Sequence, residues 1–224
     1  MNTMITPLKK LSLHDMLNHP IMLDANILMF GITERISNKD YTFENVKKTF
    51  IDPLFNSCKT ILIHKEVYNE LDNEAKTYVN GFIGKNVQLV DEGNLYGKDP
   101  IYTTIFNNIA NHALVGYERG RSKDRGEVYS LAYAAFNKIN YFCSQETMVD
   151  LIAEEITDLK DVEIITFDIV LLQAYVFYAQ KNDNTHSKAL KSIYKRHCKT
   201  VIKRHQLPDT LSEYIRECSN NGLL

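Results

Sequence analysis

The sequence predicts an α/β protein of three layers, a central, mostly parallel β-sheet between helices, with a C-terminal helical extension. Four short apolar runs bounded by turn or polar residues read as buried strands: IML (21–23), TILI (60–63), YFC (141–143) and EIIT (163–166). A fifth, VQLV (87–90), carries a weaker signal. Between these runs, apolar residues recur at three- and four-residue steps, the spacing of one helix face. Strands that alternate with helices form parallel sheets covered on both sides. The composition suits such a fold, because 44% hydrophobic and 24% charged residues in a chain of 224 supply a full core and a solvated surface.

Taken in order, the N-terminal MNTMITPLKKLSLHDML lacks a basic-then-apolar signal pattern, and no apolar run reaches membrane-spanning length. A cytoplasmic protein is expected. After the first strand, DYTFENVKKTFIDPLF places Phe43, Val46, Phe50 and Leu54 at helical spacing, with Asp40 or Thr42 as the cap. HKEVYNELDNEAKTYVNGF repeats Val67, Leu71, Ala75 and Val79 as one helix that exits at Gly81 and Gly84. DPIYTTIFNNIANHAL opens with Asp-Pro, a favourable helix start. DRGEVYSLAYAAFNK is a further helix, and ETMVDLIAEEI comes after the strand YFC. The character changes after residue 180: KNDNTHS is polar and loop-like, and two helical patterns succeed it with no strand between them. One domain over residues 1–180 and a basic helical extension over 181–224 are expected.

The four cysteines form no CxxC pair, so reduced thiols are the simpler reading, with Cys143 a small hydrophobe. A net charge of −2 gives no global pull on nucleic acid, so any basic surface is local. One such surface is the tail, where Lys188, Lys191, Lys195, Lys199 and Lys203 recur at helical steps beside Arg196 and Arg204. It reads either as a solvated helix face or as a contact for RNA, a protein groove or a second copy.

The functional signal lies in the acids. Ligands of open parallel sheets bind at the carboxyl ends of the strands. Asp24 comes after the first strand inside the apolar stretch IMLDANILMFGIT, with Asn26 two residues on. Glu70 lies beyond the second strand, Asp124 and Glu127 open a helix in DRGE, and Glu146 lies just past YFC with Asp150 one turn later. Each has an ordinary explanation. Asp24 can cap the next helix, and Glu70 can be one tooth of a solvated face with Glu66 and Glu74. Asp124 and Glu127 fit a capping box, and Glu146 favours a helix N-terminus. Taken together, carboxylates at one end of a sheet repel unless a cation neutralises them, and hard oxygen ligands suit Mg²⁺ or Mn²⁺.

IMLDANILM, ILIHKEVYNEL, DRGEVYSLAYA, YFCSQETMVDLI and VEIITFDIVLL resemble, in that order, the motifs of the PIN-domain nucleases. The likeness spans roughly residues 20–172. It implies a PIN-like three-layer fold and metal-dependent hydrolysis of single-stranded RNA by an activated water, with Mg²⁺ or Mn²⁺ held by four acids. Those acids fall on Asp24, Glu70, Glu127 and Glu146, with Asn26 and Ser144 as neutral supports and Asp124 and Asp150 nearby. Where the family usually has Thr-x-Asp, this chain has Ser144-Gln145-Glu146, one methylene longer. Arg119, Arg121, Lys123 and Arg125 are candidates for a basic rim around the acids, and Lys195 and Lys199 for an RNA contact on the tail. Many small relatives are toxins of toxin–antitoxin pairs, which implies an antitoxin or other protein partner, and a homodimer is a further arrangement. The alternative is a weak or inactive PIN-like module that binds RNA or a protein partner without cutting. A haloacid-dehalogenase phosphatase also starts with an Asp after its first strand, but it needs an acid two residues later, where this chain has Asn26.

Overall fold

A computed structural model of the chain describes residues 13–29, 47–116 and 124–190, with 216, 219 and 220. The expected caps Asp40 and Thr42, the basic residues Arg119, Arg121 and Lys123, and the tail with Lys195 and Lys199 lie outside the described residues. Five strands form one all-parallel sheet: β1 (Pro20–Leu23), β2 (Thr60–His64), β3 (Val87–Val90), β4 (Tyr141–Cys143) and β5 (Glu163–Ile165). Their order is β3-β2-β1-β4-β5. The chain therefore builds outward from β1 to β3, then crosses back to lay β4 on the other side of β1. The weakest strand signal, VQLV, is the edge strand β3, where Gln88 and Leu89 are exposed and only part of the run is buried.

The strands are apolar on both faces because both are covered. Ile21, Leu23, Ile61, Ile63, Tyr141 and Cys143 enter one apolar cluster, and Met22, Leu62 and Phe142 enter the other. The first cluster is completed from α2 (Ala25–Met29), α3 (Asp52–Ser57), α4 (Lys65–Glu70), α5 (Asn73–Asn80) and α9 (Phe167–Gln180). The second is completed from α6 (Pro100–Ala110), α7 (Arg125–Phe136) and α8 (Thr147–Glu155). A short helix α1 (Leu13–Asn18) precedes β1 and adds Met16 to the first cluster. Among the described residues no helix is long and apolar enough to cross a membrane.

Two helices differ from expectation for local reasons. The stretch 64–82 is two helices, because Asp72 leaves helical backbone and caps α5, accepting the Ala75 N–H at 2.8 Å. An aspartate at an N-cap satisfies an otherwise orphaned donor, which offsets the helical bonds lost at the break. Ahead of α3, residues Lys47–Ile51 form a π-helical turn. Pro53 has no N–H to give to the preceding turn, and the hydrogen-bond register resets there. By contrast, α6 begins as expected, with Asp99 accepting the N–H groups of Ile101 and Tyr102.

Phe142 has no exposed surface and stands in β4 between β1 and β5, facing α6–α8. Phe142→Ala is expected to cost about 3–5 kcal/mol of stability, from lost burial plus the cavity left behind. Denaturant unfolding of the two proteins checks this, and a loss under about 1 kcal/mol would show that the second cluster can collapse around the gap.

Candidate active site

Sheet order places the break in chain direction between β1 and β4, and ligands of open parallel sheets bind at such switch points. Leu23 pairs with Ile63 on one side and Cys143 on the other, so Asp24, His64 and Ser144 leave the sheet at one level. The Asp24 N–H extends the ladder by one bond to the Cys143 carbonyl at 2.9 Å, and the Ser144 N–H bonds the Ile165 carbonyl at 3.1 Å.

Asp24 is 1% exposed. Its Oδ1 accepts the Ala25 N–H at 2.7 Å, which caps α2. Its Oδ2 accepts the Asn26 amide at 2.6 Å and the Ser144 hydroxyl at 2.8 Å. All three donors are neutral. Burial therefore wins over the hydrogen bonds, and with the charges of Glu70 and Glu146 it raises the Asp24 carboxyl to about 7. Asn26 and Ser144 also lock the two strand ends together. The Asn26 carbonyl accepts the Gln145 N–H at 3.0 Å, and the Ser144 Oγ accepts the Glu146 N–H at 3.2 Å.

Glu70 and Glu127 form a second group, where α4 meets α7. The Glu70 carboxylate lies against the backbone of Gly126, where a Cβ would stand 3.0 Å and 3.3 Å from its two oxygens, and the Gly126 N–H helps to hold its carboxyl down. Glu70 thus stands beside the first turn of α7, although much of its side chain stays open to solvent. The part packed on Gly126 is desolvated, which raises its carboxyl. Glu127 is half-buried, and burial, then the charge of Asp24, raises its carboxyl to about 8. Asp24 and Glu127 thus repel each other and hold protons near neutrality. Glu66 and Glu70 do not form a continuous row with Glu74, because the helix breaks at Leu71.

Glu146 and Asp124 lie within electrostatic reach of these acids. Glu146 is the exposed N-cap residue of α8 without a side-chain capping bond, and its charge acts on Asp24. Asp150 lies in the first turn of α8, half-buried. Asp124 adopts left-handed backbone, φ 72°, and its carboxylate accepts the Gly116 N–H at 2.8 Å. The capping box that Asp124 and Glu127 could have formed is therefore absent; Asp124 holds Gly116 instead. Arg125 pairs with Glu66. Five of the expected acids, Asp24, Glu70, Asp124, Glu127 and Glu146, thus act on one another electrostatically at one end of the sheet. Among the described residues, no three His, Cys, Asp or Glu side chains are gathered as a metal-ligand set.

His64 was not among the expected residues. It is fully buried, its Nδ1 accepts the Glu66 N–H at 3.2 Å to cap α4, and Tyr129 stacks on the ring at 5.5 Å. Its Nε2 stands 3.2 Å from the Glu92 carboxylate, out of line for a hydrogen bond. Burial lowers His64 to about 4, so it is neutral at physiological pH. The signal was a polar residue directly after the apolar run TILI, the same position that Asp24 holds after IML. No family model, curated protein or solved structure matches the chain.

The raised carboxyls make stability depend on pH. In the folded chain Asp24 and Glu127 hold protons to about 7 and about 8, whereas the unfolded chain releases them near 3.8 and 4.5. The stability they contribute is whole below the unfolded values and is lost as pH rises through the folded ones. His64 acts in the opposite sense, with stability present above 6.5 and lost as pH falls through about 4. Between roughly pH 6.5 and 8.5 the contribution of the two acids is being lost, and without divalent cations stability is expected to fall by at most about 1.4 kcal/mol per pH unit for each carboxyl, seen as a falling melting temperature. Glu127→Gln is expected to flatten that slope. Thermal melts of both proteins check it, and a wild-type curve rising across this window would contradict the buried, uncompensated pair.

Proposed function

We propose that the chain is a metal-dependent endoribonuclease of the PIN-like kind, cleaving single-stranded RNA at Asp24, Glu70, Glu127 and Glu146 with Mg²⁺ or Mn²⁺. The observation that carries the reading is Asp24: a buried carboxylate at the switch point, held by neutral donors and pressed by the charges of Glu70 and Glu146. Such a group is costly to ionise alone and becomes favourable when a cation joins it. The donors fit that ion in chemistry and charge, being hard oxygens with excess negative charge. Bound there, the ion would supply a water acidic enough to attack and would neutralise charge on the phosphodiester.

The chain's own residues divide the work. Asp24 is oriented on both oxygens, by Ala25 on one and by Asn26 and Ser144 on the other, so its carboxylate cannot rotate away from the site. Glu70 and Glu127 bring charge from α4 and α7, and Glu146 brings it from the start of α8. A module that binds RNA or a protein partner without cutting is the second reading. The exposure of Glu146 and the lack of a gathered ligand set among the described residues favour it.

Purified protein incubated with labelled single-stranded RNA and Mg²⁺ or Mn²⁺ is expected to cleave it, and a chelator is expected to stop the reaction. Asp24→Asn should lower the rate at least about 100-fold, since even groups that only orient metal ligands cost 10–100-fold. Cleavage that persists in Asp24→Asn would place the activity elsewhere, and no cleavage with either ion would favour the binding module.

A further inference from the structure

The Arg125 side chain, partly exposed at the start of α7, is turned onto α4. Its Nε stands 2.7 Å from Glu66 Oε2, and its Nη2 donates to Glu66 Oε1 at 3.0 Å. The guanidinium lies over the Tyr129 ring at 5.3 Å, Tyr129 stacks on His64, and His64 caps the helix that carries Glu66. These four side chains close a circuit that fastens the first turn of α4 to the first turn of α7. One turn further along α4, the Glu70 carboxylate lies against Gly126, the residue next to Arg125, whose N–H helps to hold that carboxyl down. There the helices approach so closely that a Cβ on Gly126 would lie 3.1 Å from Val67 Cγ2 as well as against the Glu70 oxygens. The residue beyond Gly126 is Glu127.

We propose that Arg125 is a positioning residue: its pair with Glu66 clamps α4 to α7 so that Glu70 is seated on Gly126 beside Glu127. Glycine at 126 is the second part of the device, because any side chain would crowd the Glu70 carboxylate and Val67. The role of the clamp in activity rests on the metal-nuclease reading, whereas the seating of Glu70 is a property of the metal-free chain. A planar guanidinium suits this task better than an ammonium, since it donates to Glu66 through Nη2 and lies over the Tyr129 ring at once.

The clamp has a readout that needs no metal, the hydrogen exchange of the Gly126 amide in the full chain. Arg125→Met is expected to speed that exchange at least about tenfold, and Glu66→Gln should do the same if Arg125→Met folds poorly. The swapped pair Glu66→Arg with Arg125→Glu is expected to restore protection. On the metal side, Arg125→Met should weaken Mn²⁺ binding by calorimetry about tenfold and lower kcat, with KM for RNA changed less than about twofold. Unchanged Gly126 exchange in both single variants overturns the clamp. So does a raised KM with unchanged Mn²⁺ affinity, which would make Arg125 an RNA contact. If the wild type binds no Mn²⁺, the nuclease reading fails, and the Gly126 exchange alone decides the clamp.

Discussion

Burial of the Asp24 carboxylate among neutral donors is the constraint around which the carboxyl end of this sheet is arranged. A charge without exposed surface needs hydrogen bonds on every lone pair it can offer, or a proton, or a cation. The chain supplies the first through Ala25, Asn26 and Ser144. Those contacts also join the exit of β1 to the exit of β4, so satisfying Asp24 and closing the switch point are one act. Asn26 serves both purposes, with its amide on Asp24 and its carbonyl on the Gln145 N–H.

The sheet order decides which other groups Asp24 meets. Because β1 is central, its end is flanked by the exits of both β2 and β4. The β2 exit leads through His64 into α4 and Glu70, and the β4 exit leads through Ser144 to Glu146. The helix α7 packs across this end and brings Glu127. Raised carboxyls at Asp24, Glu70 and Glu127 are the electrostatic record of that convergence. Such perturbed groups mark functional sites more often than ordinary surface, which is why the site is read as chemical and not only structural.

Legibility tracked the physics of each residue. The strands could be read because IML, ILI and YFC are buried at every position, which only a sheet covered on both faces requires. Asp24 was legible because it is the one charged residue in the stretch IMLDANILMFGIT. The break at Asp72 was not, since Val67, Leu71, Ala75 and Val79 keep helical spacing straight through it. Periodicity cannot see a side chain that caps, and Asp72 competes for the backbone locally. Likewise DRGE carries the letters of a capping box, but the left-handed backbone of Asp124 turns its carboxylate to Gly116 instead. The pairing of Arg125 with Glu66 and the caging of His64 join residues far apart in sequence, so no local pattern announces them. Gly126 left one trace, a glycine in the first turn of a helix where most residues would be more stable.

The most direct test of the buried-carboxylate metal site is a crystal of the protein soaked with Mn²⁺ and measured for anomalous scattering. A metal nuclease of this kind predicts a peak at coordination distance from Asp24, with at least one of Glu70, Glu127 and Glu146 turned toward it. A soaked crystal with no peak at Asp24, and its carboxyl still bonded only to Ala25, Asn26 and Ser144, would contradict it.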